Sequence, residues 1–236
     1  MIAHSFNCPS CSAPLVFRRR AFTIRCVYCG ADSVVPQQIR QAIGAAEWTT
    51  LVSDNFDSND NNWLLGQLPS EYFSRLAREM ADGRYRWQAT VRQANSFASA
   101  WLLGYPASDF QLTARCQHRS KAFGGSSCGP LFRIQDNENF YWFRMTSNRY
   151  FTISAVKNGK WKPLVDWTKT DTINPHGVNE LEVIAEESYM TFSINKQIVG
   201  ETRDDTFNAG LTGLAIEGYT VGQEIAVDFL DFTLKI

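Results

Sequence analysis

Cys8 and Cys11 are separated by two residues, Cys26 and Cys29 by two more, and fourteen residues lie between the pairs. In this 236-residue chain, that spacing leaves the fewest folding options. A two-residue spacer lets both thiolates of a tight knuckle reach one ion at about 2.3 Å, and two knuckles complete a tetrahedral four-sulfur site. Disulfides are the competing reading, and they need an oxidising compartment. Residues 1–8 show no basic segment followed by an apolar one, so no secretory signal is expected and the chain reads as cytoplasmic. The spacing therefore predicts a structural Zn2+ held by Cys8, Cys11, Cys26 and Cys29. All four positions are filled by protein, which leaves no open coordination site for catalysis.

The flanking residues carry a resemblance. Cys8-Pro9-Ser10-Cys11-Ser12-Ala13-Pro14-Leu15 and Ile24-Arg25-Cys26-Val27-Tyr28-Cys29-Gly30 resemble the zinc ribbon family. Ribbon knuckles usually place glycine after the second cysteine, where the backbone takes positive φ. Gly30 fits, whereas Ser12 departs and predicts a slightly strained first knuckle. Val16-Phe17 and Phe22-Thr23-Ile24 read as the short strands between knuckles. About 30 residues bury little core, so the metal is expected to supply much of the folding free energy.

Charge divides the chain. Residues 1–46 hold five arginines and one acid, a net of +4; the remainder holds 18 basic and 23 acidic residues, a net of −5. Arg18, Arg19 and Arg20 fall at the expected tip of the ribbon hairpin. They read as a docking patch for nucleic acid or an acidic protein, or as a solvated turn. Val35-Pro36 closes the first segment, 1–36. Residues 37–46 are a linker or short helix, weakened by Gly44.

From 47 to 236 the pattern changes to short runs of period-two alternation. Residues 85–91, 110–118, 129–135, 140–145, 150–156, 180–185, 190–195, 214–217 and 225–234 are candidate strands, and 70–80 is read as a strand as well. Asp82-Gly83, Asn158-Gly159 and Asn195-Lys196 are hairpin turns. The fold class is mainly β: a small ribbon plus a large antiparallel β-sandwich. The longest apolar stretches are far below the roughly 18 residues of a membrane span.

Several segments, in order and spacing, are similar to the concanavalin A-like jelly-roll superfamily, closest to its laminin-G-like and keto-disaccharide-hydrolase-like members. They are Asn55-Phe56-Asp57 through Trp63, Asp82-Gly83-Arg84-Tyr85-Arg86-Trp87, and Cys128-Gly129-Pro130-Leu131-Phe132-Arg133-Ile134. Asn139-Phe140-Tyr141-Trp142-Phe143-Arg144, Asn158-Gly159-Lys160-Trp161, Asn179-Glu180-Leu181-Glu182-Val183 and Val227-Asp228-Phe229-Leu230-Asp231-Phe232 complete the pattern. The resemblance implies a jelly roll over about residues 50–236. Retaining glucanases of this superfamily alternate carboxylates along one strand, which brings nucleophile and acid to about 5–5.5 Å. Here Glu180 and Glu182 alternate on a strand expected to face solvent. Asp228 and Asp231, three apart, are expected on opposite faces.

What remains is a binding module. Asp54, Asp57 and Asp60 with four asparagines form an oxygen-rich loop that Ca2+ would suit, although Asx turns explain it without an ion. Cys116 and Cys128 read as buried free thiols. Tyr141, Phe143 and Met145 share one strand face, and Trp142 and Arg144 the other. With Arg133 on the neighbouring strand, Trp142 and Arg144 are expected to form an outward patch on the concave face. The expected function is a non-enzymatic, lectin-like module recognising a glycan or protein partner, beside a zinc-held docking element. The alternatives are a glycoside-processing enzyme, and nucleic-acid or acidic-protein docking through Arg18, Arg19 and Arg20 at the ribbon tip.

Overall fold

In a computed structural model, described for residues 4–17, 23–36, 38–39, 48–120 and 124–236, the chain divides into two compact units, 1–49 and 50–236. Arg18, Arg19 and Arg20 lie outside the described residues, as does most of 37–46.

The first unit is two small hairpins. Strand β1 (His4–Asn7) pairs with β2 (Pro14–Phe17), and β3 (Thr23–Arg25) with β4 (Asp32–Val34). Each hairpin encloses one Cys-x-x-Cys turn, and the two turns are bonded alike. Cys8 N–H donates to Ala13 O and Ser12 N–H to Cys8 O; Cys26 N–H donates to Ala31 O and Gly30 N–H to Cys26 O. Ser12 takes φ 59° where Gly30 takes 73°, so the serine holds the left-handed conformation that glycine adopts without strain.

The second unit is an antiparallel sandwich of jelly-roll type. Its strands are β5 (Thr50–Asp54), β6 (Gly66–Gln67), β7 (Phe73–Met80), β8 (Tyr85–Val91), β9 (Ser96–Ala107) and β10 (Phe110–His118). Then come β11 (Ser126–Asp136), β12 (Asn139–Thr146), β13 (Tyr150–Lys157), β14 (Lys160–Lys169) and β15 (Asn179–Glu186). Last are β16 (Tyr189–Ile194), β17 (Gln197–Arg203), β18 (Gly210–Gly218) and β19 (Glu224–Lys235). One sheet runs β17-β16-β15-β10-β19-β8-β7-β6, with β5 also paired to β19; the other runs β14-β13-β12-β11-β18-β9. The expected turns form where the sequence put them. Asp82-Gly83, Asn158-Gly159 and Asn195-Lys196 all take positive φ at both positions, the type I′ geometry that matches strand twist.

The core lies between the sheets. Alternate residues of β10 (Phe110, Leu112, Ala114, Cys116) meet Phe132, Tyr141, Phe143 and Met145 of the six-stranded sheet, all fully buried. Phe56, Trp63, Tyr85, Trp87, Phe229 and Phe232 form one aromatic chain of edge-to-face and tilted contacts with centroid spacings of 5.2–6.5 Å.

Two β-bulges correct the parity expected from sequence. Arg133 takes φ 48°, and the register of β11 breaks between Leu131 and Ile134. The extra residue moves Ile134 to the face of Leu131, where the two share a cluster, and Arg133 leaves the patch expected for it. In β19 the register against β10 shifts between Arg115 and Cys116, so Phe229 and Phe232 both enter the core. Asp228 and Asp231 consequently share the outer face instead of opposing each other. There Asp228 meets Arg84 (2.9 Å) and Arg119 (3.5 Å), and Asp231 meets Arg115 (2.8 Å).

Candidate functional site

The face of the six-stranded sheet turned away from the core carries a cleft of about 870 Å³. Period-two alternation puts Phe140, Trp142 and Arg144 of β12 on this face. Their registers are Phe140 to Val156, Trp142 to Ser154 and Arg144 to Thr152 of β13. An apolar floor forms from Leu131, Ile134, Phe140, Trp142, Val156 and Ala215, with Phe97 and Trp101 packed against it. Phe97 stacks on Phe140 at 5.4 Å and meets Trp142 edge-on at 5.1 Å. Trp142, expected to be a surface platform, is therefore fully buried in this floor; its indole N–H donates to Gly129 O at 3.2 Å.

Arg144 rises from that floor into a box of indoles. Its guanidinium carbon is 4.4 Å from the Trp142 ring centre, 4.7 Å from Trp161 and 5.2 Å from Trp167. Its Nε lies 3.6 Å from Glu217 Oε2 on β18, and Ser127 Oγ approaches the same carboxyl at 3.5 Å. Burial raises the Glu217 carboxyl, against the opposing pull of Arg144. Arg144 is 7% exposed, and its guanidinium lies in one polar cluster with Glu217, Ser127 and the Tyr219 phenol.

Trp161 and Trp167, on β14, are each 43% exposed and form the accessible aromatic wall. Trp167 also lines a second recess of about 210 Å³, with Tyr219, Thr146, Asn148 and Tyr150. Glu138, Asp166 and Glu217 are the carboxylates lining the main cleft among the described residues, and Arg144 is the one cation there.

The other expected site residues lie elsewhere. Arg133 is fully buried at the bulge, where its guanidinium donates to Ser108 O (2.9 Å), Phe207 O (3.0 Å) and Glu187 O (2.5 Å). It locks three loops instead of meeting solvent beside Trp142 and Arg144. Glu180 and Glu182 lie on β15 in the nine-stranded sheet, with Glu182 accepting from Gln111. In the acidic loop, Asp54 accepts from Phe56 N–H, Asn61 and the Trp63 indole, while Asp57 accepts from Asn55 and Asp60 from Ser58. Its carboxylates are occupied by the turn's own donors.

Glu217 was missed by sequence reasoning, although a signal existed. In Leu214-Ala215-Ile216-Glu217 the apolar alternation puts Leu214 and Ile216 in the core and the acid on the other face.

In the first unit, the sulfurs of Cys8, Cys11, Cys26 and Cys29 lie within 4.8 Å of one another. Cys8 to Cys29 is 3.7 Å and Cys11 to Cys26 is 3.6 Å. A tetrahedron with 2.3 Å metal–sulfur arms has edges of about 3.8 Å, so the cage fits a thiolate-bound ion. At Cys8 burial opposes ionisation, but bonds from the Ser10 backbone, the Ser33 hydroxyl and Cys11 bring it down to about 6. The backbone of Cys29 lowers Cys26. Cys11 and Cys29 are raised: backbone bonding at Ala13 and Ala31 favours their thiolates, and neighbouring sulfurs and burial outweigh it. The four cysteines together could hold a metal ion, whose charge would favour the thiolate form of each.

No family model matches the chain. A TPR repeat-containing protein of Treponema pallidum (strain Nichols) is 26% identical over 113 residues, which is 48% of this chain and 14% of that protein's length. Among solved structures, the carbohydrate-binding module CBM66 from Bacillus subtilis matches 80% of this chain and 95% of its own, with TM-score 0.52 and 17% identity. The catalytic domain of an endo-1,3-beta-glucanase (laminarinase) from Thermotoga petrophila matches 80% and 98%, with TM-score 0.55 and 10% identity. An endo-β-galactosidase from Clostridium perfringens that releases GlcNAcα1-4Gal matches 80% and 63%, with TM-score 0.59 and 9% identity. At these identities the likeness is one of fold.

Proposed function

We propose that the chain is a carbohydrate-binding protein whose ligand lies in the cleft of the six-stranded sheet, and that the four cysteines hold a structural zinc in a ribbon-like unit. The observation that carries the reading is Arg144: buried, boxed by three indoles and set beside Glu217 at the floor of a cleft walled by the half-exposed Trp161 and Trp167. Sugar rings present apolar C–H faces to aromatic walls and hydroxyls to convergent polar groups. Trp161 and Trp167 supply the walls; Arg144 and Glu217 supply the polar groups. Fold neighbours named as carbohydrate-binding modules and glycanases support this class of ligand.

The test is a glycan array probed with the full chain, followed by the Trp161→Ala and Trp167→Ala variants. Retention of a glycan that both variants lose supports the reading. An empty array, or retention indifferent to both variants, removes it.

A second reading is kept by one group. Glu217 is a carboxyl raised by burial inside an aromatic cleft, the environment of a general acid. Against it, Arg144 sits 3.6 Å away, and the other lining carboxylates, Asp166 and Glu138, are exposed. Release of reducing ends from an array-positive oligosaccharide, abolished by Glu217→Gln, would convert the binding module into a glycoside hydrolase.

A further inference from the structure

Two thiols face each other across the sandwich. Cys116 lies on β10, inside the nine-stranded sheet, and Cys128 on β11, inside the six-stranded sheet. Both are fully buried and free. Their sulfurs are 3.4 Å apart. A disulfide is about 2.05 Å long, so they need to approach by only about 1.4 Å. The other four cysteines all belong to the first unit.

We propose that Cys116 and Cys128 are an oxidation site, converted to an inter-sheet disulfide by a small-molecule disulfide while the chain folds. The closed sandwich then preserves whichever state it closed on. With glutathione disulfide as oxidant, one cysteine thiolate attacks a glutathione sulfur, breaking that S–S bond and releasing one glutathione thiolate. The second cysteine attacks the protein sulfur of the mixed disulfide and releases the other. The chain loses two electrons and two protons, and two molecules of glutathione carry them away.

Timing follows from the surroundings. In the closed sandwich, burial raises the Cys128 thiol. His118, whose Nε2 is 3.5 Å from Cys128 Sγ, is itself lowered to about 4 by burial and is neutral at higher pH. Among the described residues no cation is paired with the Cys128 thiol, and the thiolate is the attacking form. Exchange therefore belongs to the open chain. The bond would also reach the cleft floor. Ser127 and Gly129, which flank Cys128, contact Glu217 and the Trp142 indole from the same strand.

The test refolds the full chain from urea with zinc(II) present, in glutathione plus glutathione disulfide or in glutathione alone. Trypsin leaves Cys116 in the peptide 116–119 and Cys128 in the peptide 122–133. The expected non-reduced map of the oxidised sample joins these peptides, two hydrogens lighter than their sum. That sample also unfolds at a higher urea concentration than the reduced one. Reduced chain, folded first and then given the same mixture, keeps both thiols. Refolding to the native spectrum with both thiols intact would overturn the proposal. So would a linked product that unfolds earlier than the reduced chain, or equally fast oxidation of the folded form. Cys116→Ala must yield no linked peptide, and Cys128→Ala serves as the same control should the first variant fail to fold.

Discussion

Replacing Arg144 with leucine removes the one cation that lines the cleft among the described residues and leaves Glu217 buried, its side chain 10% exposed, without that counter-charge. Breaking one partner of a buried pair costs about 3–5 kcal/mol, because the surviving charge keeps its desolvation penalty. Leucine retains part of the packing against Trp142, Trp161 and Trp167, so lost cation–π attraction adds about 1 kcal/mol. For a unit of this size each kcal/mol is worth about 2–4 °C, giving a fall in melting temperature of about 8–24 °C near neutral pH. The effect must depend on pH. Burial already raises Glu217, and without Arg144 nothing comparable pulls it back. A raised carboxyl binds its proton more tightly folded than unfolded. The variant is therefore most stable below the ordinary glutamate range and loses stability as pH rises toward the folded value. Thermal unfolding followed by circular dichroism at about pH 5 and about pH 8 should show the deficit growing with pH. Arg144→Leu combined with Glu217→Gln should flatten that dependence and recover most of the loss. An equal deficit at both pH values, unrescued by Glu217→Gln, would mean that Arg144 acts through packing alone.

Elemental analysis should find about one zinc per chain, and chelation should release the amides of residues 5–35 while the second unit stays folded; zinc-free protein with those amides protected would refute the metal reading. Ser12→Gly should relieve the left-handed strain at φ 59°. It should tighten zinc binding by up to about tenfold, since such strain costs about 1–2 kcal/mol and glycine's extra unfolded-state freedom offsets part of the gain. Unchanged or weaker zinc affinity would argue that Ser12 is unstrained. Arg133→Ala should destabilise the sandwich by about 3–5 kcal/mol, because three buried carbonyl groups lose a charged donor. It should leave the cleft ligand's affinity nearly unchanged in protein that remains folded. A mild effect on urea unfolding, with lost binding, would return Arg133 to the site.

The sequence was legible where local chemistry decides structure. Paired Cys-x-x-Cys turns, Asn-Gly and Asp-Gly hairpins, and strict alternation in β10 and β12 each have a cause within a few residues. Five strands of the second unit, β5, β6, β9, β14 and β17, were unread, and β9, β14 and β17 lie at sheet edges. There Pro106, Pro163 and Gly200 break the alternation without breaking a central ladder. The site was half legible for a related reason. Trp142 and Arg144 do share the cleft face, since β12 is regular between them. Arg133 does not, because a bulge is a two-strand property that one strand's pattern does not reveal. Glu217 comes from β18, paired to β11 from far along the chain, and Trp161 and Trp167 from β14, which follows β12 and β13 through two successive hairpins. Only the sheet order brings their side chains around Arg144.

The cleft is the centre of the account, and one measurement addresses it directly. The full chain, labelled with ¹⁵N, is titrated with the glycan most strongly retained on the array, and the indole N–H signals are followed by nuclear magnetic resonance. The account predicts that Trp161 and Trp167 shift together with a single dissociation constant. It also predicts that Trp87, buried in the nine-stranded sheet, stays still. Shifts confined to that sheet or to the first unit, or saturating binding that moves neither Trp161 nor Trp167, would contradict it.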